Sequence, residues 1–359
     1  MEPLIGGSKS ELAHSDASTV VRGDHSPSLS QATATAKDLL MDVLQFRRTA
    51  GPETMCATVP CPDCAAPHLS KVASAIANGK PITFVLPAFP GKSPNPGKVL
   101  GTLPDMAERC ALEFLQGLCD RIERRYSPGA RIILTSDGRV FGDSVGMRDE
   151  DVSAYQEALS EMIAELGLSS LSTLNLDDIY EGSAFDQMRS RLMEEHGEPL
   201  RLIKAAIKRG NGKTHDCLAD DIEVHRVYCG MTRFLVEDAT FPGQELSRTA
   251  IQKECRIRAY EVVRGSRAWG NAIEELFPTA VRLSIHPQAC GAKKLGIRLI
   301  EPDNWLTPWH GVAVDVGGRF VLFHRSKAES LGARLVTQSG RPSHFVLEPH
   351  QLQEAGNEA

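Results

Sequence analysis

The sequence predicts an α/β protein with a Rossmann-like, mostly parallel sheet, helices on both faces, and a strand-rich C-terminal part. Short apolar runs alternate with amphipathic stretches of helical period from about residue 81 to 240. A long helical pattern covers roughly 244–277 and ends at Phe277-Pro278. Short apolar runs dominate the chain after that proline, and we expect them to add antiparallel strands.

The elements follow from these patterns in chain order. Helices are predicted where apolar residues recur at helical spacing, over 36–48, 105–126, 149–167, 185–197, 199–210 and 244–277. Strands are predicted where short apolar runs occur, over 81–87, 130–136, 171–180, 225–238, 280–287, 294–301, 310–316 and 319–325. The domain prediction is a disordered N-terminal tail over 1–35, an α/β core over 36–240, and a C-terminal part over 241–359 whose long helix and strands complete the site.

Composition excludes several classes of protein. The 359 residues carry a net charge of −6, so nothing draws the chain toward nucleic acid or an anionic membrane. No apolar run reaches the ~20 residues of a membrane helix, and the first residues lack the pattern of a secretory signal. Nine cysteines, an odd number, fit reduced thiols in the cytoplasm better than a disulfide framework.

One cysteine pair has metal-ligand spacing. Cys61 and Cys64 form a single C-x-x-C, and a structural zinc site needs four ligands. Cys56 and His68 are near enough in sequence to complete a set, but a turn with buried thiols is the interpretation that the sequence favours. We therefore expect no metal site.

The loop after the first predicted strand contains Gly91-Lys92-Ser93, which raises the question of a nucleotide-binding P-loop. Such a loop needs a glycine five residues before Gly91, where this chain has Leu86. Pro94 and Pro96 lack the N–H groups that a phosphate cradle donates. The loop is therefore not an ATP site, although Lys92 and Ser93 follow a buried strand, where open α/β sheets bind ligands.

Charged groups and histidines follow several predicted strands, and together they predict a polar cleft at the edge of the sheet. Taken singly, each is as readily a turn residue, a structural histidine or a solvated arginine. The candidates are Lys92, Ser93, Asp137, Arg139, Asp143, Arg233, Arg264, Arg282, His286, Lys294, Trp309 and His310. We further expect the strands that carry His286 and His310 to pair antiparallel, so that both rings face one cleft.

Four segments together resemble a known family. "LPAFPGKSPNP", "LTSDGRVFGD", "RLSIHPQ" and "TPWHGVAV", in this order, resemble the pyoverdine/dityrosine biosynthesis family over about residues 70 to 330. The resemblance implies an isonitrile synthase, which converts the α-amino group of tyrosine or tryptophan to an isonitrile with ribulose 5-phosphate as carbon donor. It implies no metal or organic cofactor, and it suggests a pathway partner, an iron- and 2-oxoglutarate-dependent oxygenase.

The chemistry of that reaction suggests roles for the candidates. Lys92, with Ser93 and Arg139, is expected to bind the phosphate, because cations and N–H donors stabilise it. Asp137 or Asp143 is the expected base, and His286 and His310 are acid–base candidates because histidine titrates near neutrality. Arg233 or Arg264 is expected to hold the substrate carboxylate, and the remaining candidates, Arg282, Lys294 and Trp309, are expected to line the substrate site.

Three other functions stay open at this point. A relative in dityrosine formation yields N-formyl-tyrosine, and a mass difference separates that product from an isonitrile. A nucleotide-dependent Rossmann enzyme is disfavoured, because no G-x-G-x-x-G follows an early strand. A noncatalytic ligand-binding protein would retain binding without turnover.

Overall fold

The computed structural model describes residues 28–48, 56, 58–212, 217–301 and 305–350. Its helices are α1 Leu29–Leu44, α2 Pro62–Ala77, α3 Met106–Glu123, α4 Gly138–Val145, α5 Asp149–Glu165, α6 Leu176–Ile179, α7 Phe185–Glu195, α8 Leu200–Arg209, α9 Ala219–Asp238, α10 Arg248–Leu276 and α11 Arg325–Ser330. In the part of the chain that is described, no helix is both long and apolar enough to cross a membrane.

Five parallel strands form the main sheet in the order β3-β2-β1-β4-β5. They are β1 Ile82–Leu86, β2 Ala130–Thr135, β3 Leu171–Leu174, β4 Val281–Ser284 and β5 Leu295–Gly296. The parallel α/β fold predicted from the sequence is confirmed: helices lie in the connections from β1 to β2, from β2 to β3 and from β3 to β4, whereas β4 reaches β5 through a loop.

Side chains alternate along each strand between two apolar layers. Phe84, Leu86 and Leu134 point into a core built with α1, α2, α3 and α5. Val85 and Ile133 point the other way, toward a second core built with α4, α7, α9 and α10. Helices therefore cover both faces, as the near-continuous apolar runs of these strands require.

A second, four-stranded sheet has the order β7-β6-β9-β8. Its strands are β6 Val312–Val316, β7 Phe320–Phe323, β8 Arg334–Gln338 and β9 Arg341–Leu347. The antiparallel C-terminal addition was predicted only in part: β6 with β7 and β8 with β9 are antiparallel, but β6 pairs with β9 in parallel. Because β4 lies in the main sheet and β6 in this one, the predicted pairing of the strands beside His286 and His310 is wrong.

Local predictions failed at both ends of the α/β region. Residues 225–238 were predicted as a strand from their aromatic and β-branched content, but they belong to α9, where Val224, Tyr228, Met231 and Leu235 recur at helical spacing. Helix α2 was not predicted at all. The predicted tail, 1–35, lies outside the described residues up to position 27, and α1 already begins at Leu29 with Ser28 as its N-cap.

Candidate active site

The carboxyl ends of β1, β2 and β4 meet at one edge of the main sheet. The chain order reverses across β1, because β2 and β3 lie on one side of it and β4 and β5 on the other. Ligands of open parallel sheets bind at such a reversal. Five predicted residues, called here the sheet-edge site, lie in a chain of electrostatic neighbours at this edge: Asp137, Arg282, Lys294, His286 and His310.

Asp137 follows β2 and precedes α4. Gly138 allows this tight turn, because a Cβ there would lie 1.8 Å from the carbonyl oxygen of Pro90. Burial raises the pKa of the Asp137 carboxyl to about 6, although its own backbone N–H and the charge of Arg282 lower it. A carboxyl that titrates near neutrality is suited to act as a general base.

Arg282 lies in β4 beside Val85 of β1, on the face of the sheet that α10 covers. Burial lowers the pKa of its guanidinium to about 10, so the group remains charged at neutral pH. Its buried Nε has no hydrogen-bond partner among the described residues. A buried donor without a partner costs about 1–3 kcal/mol, and an anionic ligand beside it would remove that cost.

His286 ends the segment after β4, and its side chain is exposed. Burial nevertheless lowers its pKa to about 4, with the charges of Arg48 and Lys294 adding to the effect. At neutral pH this ring is uncharged.

His310 is half-buried and accepts or donates a 2.8 Å hydrogen bond between Nδ1 and Thr307 Oγ1. Burial lowers its pKa well below the usual value, and Lys98, His324, Lys92 and His286 lower it further. Its ring packs against Phe234, with ring centroids 4.4 Å apart. Nε2 has no hydrogen bond to a described residue, so it is the ring atom left for proton exchange.

Lys98 and Asp238, which were not predicted, lie beside His310. Lys98 Nζ is 2.8 Å from Asp238 Oδ1 and acts electrostatically on both His310 and His324. Lys98 lies at the end of the loop that carries Lys92, so the sequence alone could have indicated it as a candidate. Asp238 could be found only by recognising 219–238 as a helix, because its carboxylate reaches this place as the last residue of α9.

Lys92 is also an electrostatic neighbour of His310, but its ammonium group is buried and held by partners within the protein. Its Nζ is 2.9 Å from Asp105 Oδ2 and 2.7 Å from Glu108 Oε2, and it donates a 3.2 Å hydrogen bond to the carbonyl of Pro308. An ammonium group has three donors, and all three are used without solvent contact. This geometry argues against the predicted phosphate contact.

Ser93 and Trp309 also serve the framework. Ser93 Oγ donates to Asp238 Oδ1 at 2.9 Å, and its backbone N–H donates to the carbonyl of Trp309 at 2.8 Å. The Trp309 ring is buried in the main core against Phe89. The predicted substrate contact by Trp309 is therefore contradicted, because its ring faces the apolar core.

Four predicted residues point elsewhere. Arg139 is buried near Asp177 and Ser153 on the far side of α4, and Asp143 is exposed on the same helix near Arg189. Arg264 donates to the carbonyl of Glu198, and Arg233 is exposed on α9. None of these four residues is an electrostatic neighbour within the sheet-edge site, so the structure does not support their predicted roles.

A cavity of about 620 Å³ lies away from the sheet-edge site. It lies between α5 and the start of α7, where Asp149, Glu150, Glu157 and Asp186 give it four carboxylates. None of the twelve predicted residues lines it. So acidic a lining disfavours a sugar phosphate or an amino-acid carboxylate.

Comparison with known proteins identifies the family of this chain. Residues 72–336 match the family model described as "Pyoverdine/dityrosine biosynthesis protein". The chain is 42% identical over 326 residues to the L-tryptophan isonitrile synthase AmbI2 of Fischerella ambigua, covering 90% of this chain and 96% of that one. It is 46% identical over 293 residues to the L-tyrosine isonitrile synthase of Pseudomonas aeruginosa, covering 80% and 86%.

A solved structure has the same fold. The crystal structure of the PvcA protein from Pseudomonas aeruginosa superposes with a TM-score of 0.80 at 42% identity, covering 87% of this chain and 99% of that chain. The matched family region contains both the reversal of the main sheet and every residue of the sheet-edge site. This chain therefore belongs to the pyoverdine/dityrosine biosynthesis protein family.

Proposed function

We propose that this protein is an isonitrile synthase that converts the α-amino group of an aromatic L-amino acid to an isonitrile, with ribulose 5-phosphate as the carbon donor. The observation that carries the assignment of the site is that Asp137 and Arg282 are electrostatic neighbours, each lowering or raising the pKa of the other. A carboxyl with a pKa of about 6 lies beside a guanidinium that has an open donor, at the ligand-binding edge of the sheet.

Asp137 is the proposed base. The substrate amine must lose a proton before it attacks the C2 ketone of the sugar, and a free α-amino group with a pKa near 8 is mostly protonated at pH 7. Asp137 is ionised above pH about 6 and can accept that proton. Asp143, the alternative from the sequence, is exposed on α4 and lies outside the sheet-edge site.

Arg282 and Lys294 are the proposed anion contacts. Both substrates carry an anion, a phosphate in one and a carboxylate in the other, and a guanidinium binds either through two parallel hydrogen bonds. Lys294 is half exposed, with only a distant partner in Glu223, 4.0 Å away. Asp137 is the single carboxylate of the sheet-edge site, so the site as a whole attracts anions.

His286 and His310 are the proposed proton carriers for the later steps, in which the imine loses a proton, phosphate leaves and carbon–carbon bonds break. Both rings are neutral in the free protein. A phosphate dianion bound nearby would raise the pKa of each ring toward neutrality, because an opposite charge favours the protonated form. Substrate binding would thereby prepare the acid that the departing phosphate needs.

The test is incubation of the purified protein with ribulose 5-phosphate and each of the twenty amino acids, followed by mass spectrometry. An isonitrile gains one carbon and loses two hydrogens, whereas an N-formyl product gains one carbon and one oxygen. Tyrosine or tryptophan consumption with the first mass change supports the proposal. The formyl product, or binding without any product, would replace it with a dityrosine-type enzyme or a binding protein.

A second arm identifies the carbon donor. Ribulose 5-phosphate carrying ¹³C at C2 should place one labelled carbon in the isonitrile. Xylulose 5-phosphate, an epimer with the same phosphate and ketone, is the matched control for stereochemical selection. Unlabelled isonitrile formed in the presence of labelled donor would contradict the proposed carbon source.

A further inference from the structure

Three cysteines that are near one another in sequence meet a fourth, distant one beside the main sheet. The Sγ atoms of Cys56, Cys61, Cys64 and Cys290 all lie within 4.8 Å of one another. They come from the segment before α2, from the first turn of α2 and from the loop between β4 and β5. We call them the four-cysteine cluster. Ordinary core packing does not require thiols from three separate segments to converge on one point.

The spacing of the sulfur atoms fits a metal ion. Cys56 and Cys64 Sγ are 3.5 Å apart, Cys64 and Cys290 Sγ 3.5 Å, and Cys61 and Cys290 Sγ 3.8 Å. With zinc–sulfur bonds of about 2.3 Å, the edge of a regular tetrahedron of sulfurs is about 3.8 Å. A disulfide needs its two sulfurs about 2.05 Å apart, and these cysteines are free.

Two hydrogen-bond donors contact sulfur atoms of the cluster. Arg47 Nη1 donates a hydrogen bond to Cys56 Sγ at 2.6 Å, and the backbone N–H of Gly291 donates to Cys64. Cys61 is the N-cap residue of α2 and its side chain makes no capping hydrogen bond, so its sulfur is available at the positive end of the helix. Such second contacts hold ligands in place and offset part of the charge of −2 on a zinc ion with four thiolates.

We propose that the four-cysteine cluster binds one Zn²⁺ as a closed, tetrahedral structural site. The four thiols each lose a proton when the ion binds, and no redox change occurs. Four protein ligands leave no open position for a substrate, so the ion has no part in catalysis. This proposal differs from the expectation from the sequence that the chain binds no metal. It does not depend on the proposed reaction.

The zinc ion would fix the loop that positions the sheet-edge site. Cys290 lies four residues after His286 and four before Lys294, and Arg47 holds the same loop by donating to the carbonyl of Gln288 at 3.0 Å. An ion that joins Cys290 to the start of α2 would reduce the conformational freedom of the loop between β4 and β5. That loop is followed by a strand of two residues, β5, which by itself constrains it little. Zinc would therefore order His286 and Lys294 from outside the cleft.

The sequence showed three of the four ligands. Cys61 and Cys64 were visible as a C-x-x-C and Cys56 was considered beside them, but Cys290 is more than two hundred residues away and no spacing rule points to it. His68, considered from the sequence as a fourth ligand, is buried one turn after Cys64 and is outside the cluster.

The experiment measures metal in the protein purified without chelators and with a phosphine reductant. Elemental analysis should find one zinc per chain. Zinc is removed with a thiol-reactive mercurial and a chromophoric chelator, and the mercurial is then displaced from the cysteines by excess dithiol and removed. Co²⁺ should then restore binding with the visible bands and ultraviolet thiolate charge transfer of a tetrahedral thiolate site. This readout uses the unaltered chain, so it does not depend on a variant that folds.

Two variants and one control locate the ion. Cys290→Ser and Cys64→Ser should each lower the zinc content well below one per chain and remove the cobalt thiolate spectrum. Cys217→Ser removes a partly exposed thiol outside the cluster and should keep both. The parent should also lose thermal stability on zinc removal and regain it with Zn²⁺, because binding to the folded state alone stabilises it.

Three results would overturn the proposal. One is a metal-free protein that remains so, with four alkylatable cluster thiols, after Zn²⁺ is added. Another is a mass two units low with a Cys–Cys peptide from the cluster, which would show a disulfide. Stoichiometric iron in place of zinc would overturn the assignment of the ion.

Discussion

The Lys92 cluster and the sheet-edge site use the same kinds of residue in opposite ways. Around Lys92, two carboxyls and a carbonyl satisfy every N–H of one buried ammonium group, and Tyr155 donates to Glu108. At the sheet edge, Arg282 has an unsatisfied Nε and Asp137 is held at a raised pKa. In the first cluster the cation has three partners within the protein, whereas in the second one donor of the cation has none among the described residues.

The difference teaches that burial alone does not identify a functional charge. When a buried charge has all its partners in the protein, removing one partner is strongly destabilising, because the other charge is left buried and uncompensated. A buried charge that lacks partners costs stability and persists where function requires it. Each prediction below changes one side of this contrast.

The largest effect is expected for Asp137→Asn. Removing a general base typically lowers kcat by 10²–10⁴-fold, and the isonitrile assay measures it. The same variant should unfold at a higher temperature at pH 7. The pKa of Asp137 is about 6 in the folded protein against 3.8 ordinarily, so the folded chain holds a proton that the unfolded chain releases. The free energy of unfolding of the parent therefore falls by on the order of 2–3 kcal/mol as pH rises from 4 to 6.

Asp143→Asn is the matched control for that variant, because Asp143 lies on the adjacent helix and is exposed. It should keep both activity and melting temperature. If Asp137→Asn retains more than about a tenth of the parent kcat, its loss of activity is far smaller than removal of a general base usually causes. Asp137 would then not be the base.

Lys92→Met should affect stability instead. It leaves Asp105 and Glu108 buried without a cation, and breaking such a pair costs about 3–5 kcal/mol in free energy of unfolding. Urea titration measures the change. Burial already raises the pKa of Glu108 to about 7, although Lys92 lowers it. The double variant Lys92→Met with Glu108→Gln should therefore recover part of the lost free energy of unfolding. If Lys92→Met is as stable as the parent, the Lys92 cluster does not stabilise the fold and the contrast with the sheet-edge site fails.

Arg282→Met should raise the KM of an anionic substrate. A charge-assisted hydrogen bond contributes roughly 1.5–3 kcal/mol, which corresponds to about ten- to hundredfold in kcat/KM. Stability should stay level or rise, since an unsatisfied donor is removed. Arg264→Met, which breaks a bond to the Glu198 carbonyl on the other side of α10, is the control and should leave KM unchanged. Equal effects of the two variants would argue against the assigned anion contact.

The smallest effect concerns pH. The folded pKa of His286 is about 4 against 6.5 ordinarily, so the unfolded chain binds a proton in this window that the folded chain does not. Stability therefore falls as pH drops from 6.5 to 4, opposite in sign to the contribution of Asp137. Melting temperatures measured across this pH range should fall less steeply with decreasing pH for His286→Asn than for the parent. A parallel pair of curves would show that His286 is not held neutral by its surroundings.

The sequence by itself determined the class of fold and the chain segments of the site. Alternating apolar runs and amphipathic stretches specify a parallel sheet, because they state which residues are buried and with what period. The carboxyl ends of parallel strands meet at one edge, so Asp137, Arg282 and His286 could be expected together from local pattern alone.

Only the tertiary structure decided which charges are satisfied. Lys92 follows β1 just as Asp137 follows β2, and nothing local distinguishes them. Asp105 and Glu108 capture Lys92 because α3 packs its first turn against that loop. Cys290 meets Cys61 and Cys64 for the same reason: partners distant in sequence are chosen by packing, and sequence spacing carries no information about packing between distant segments.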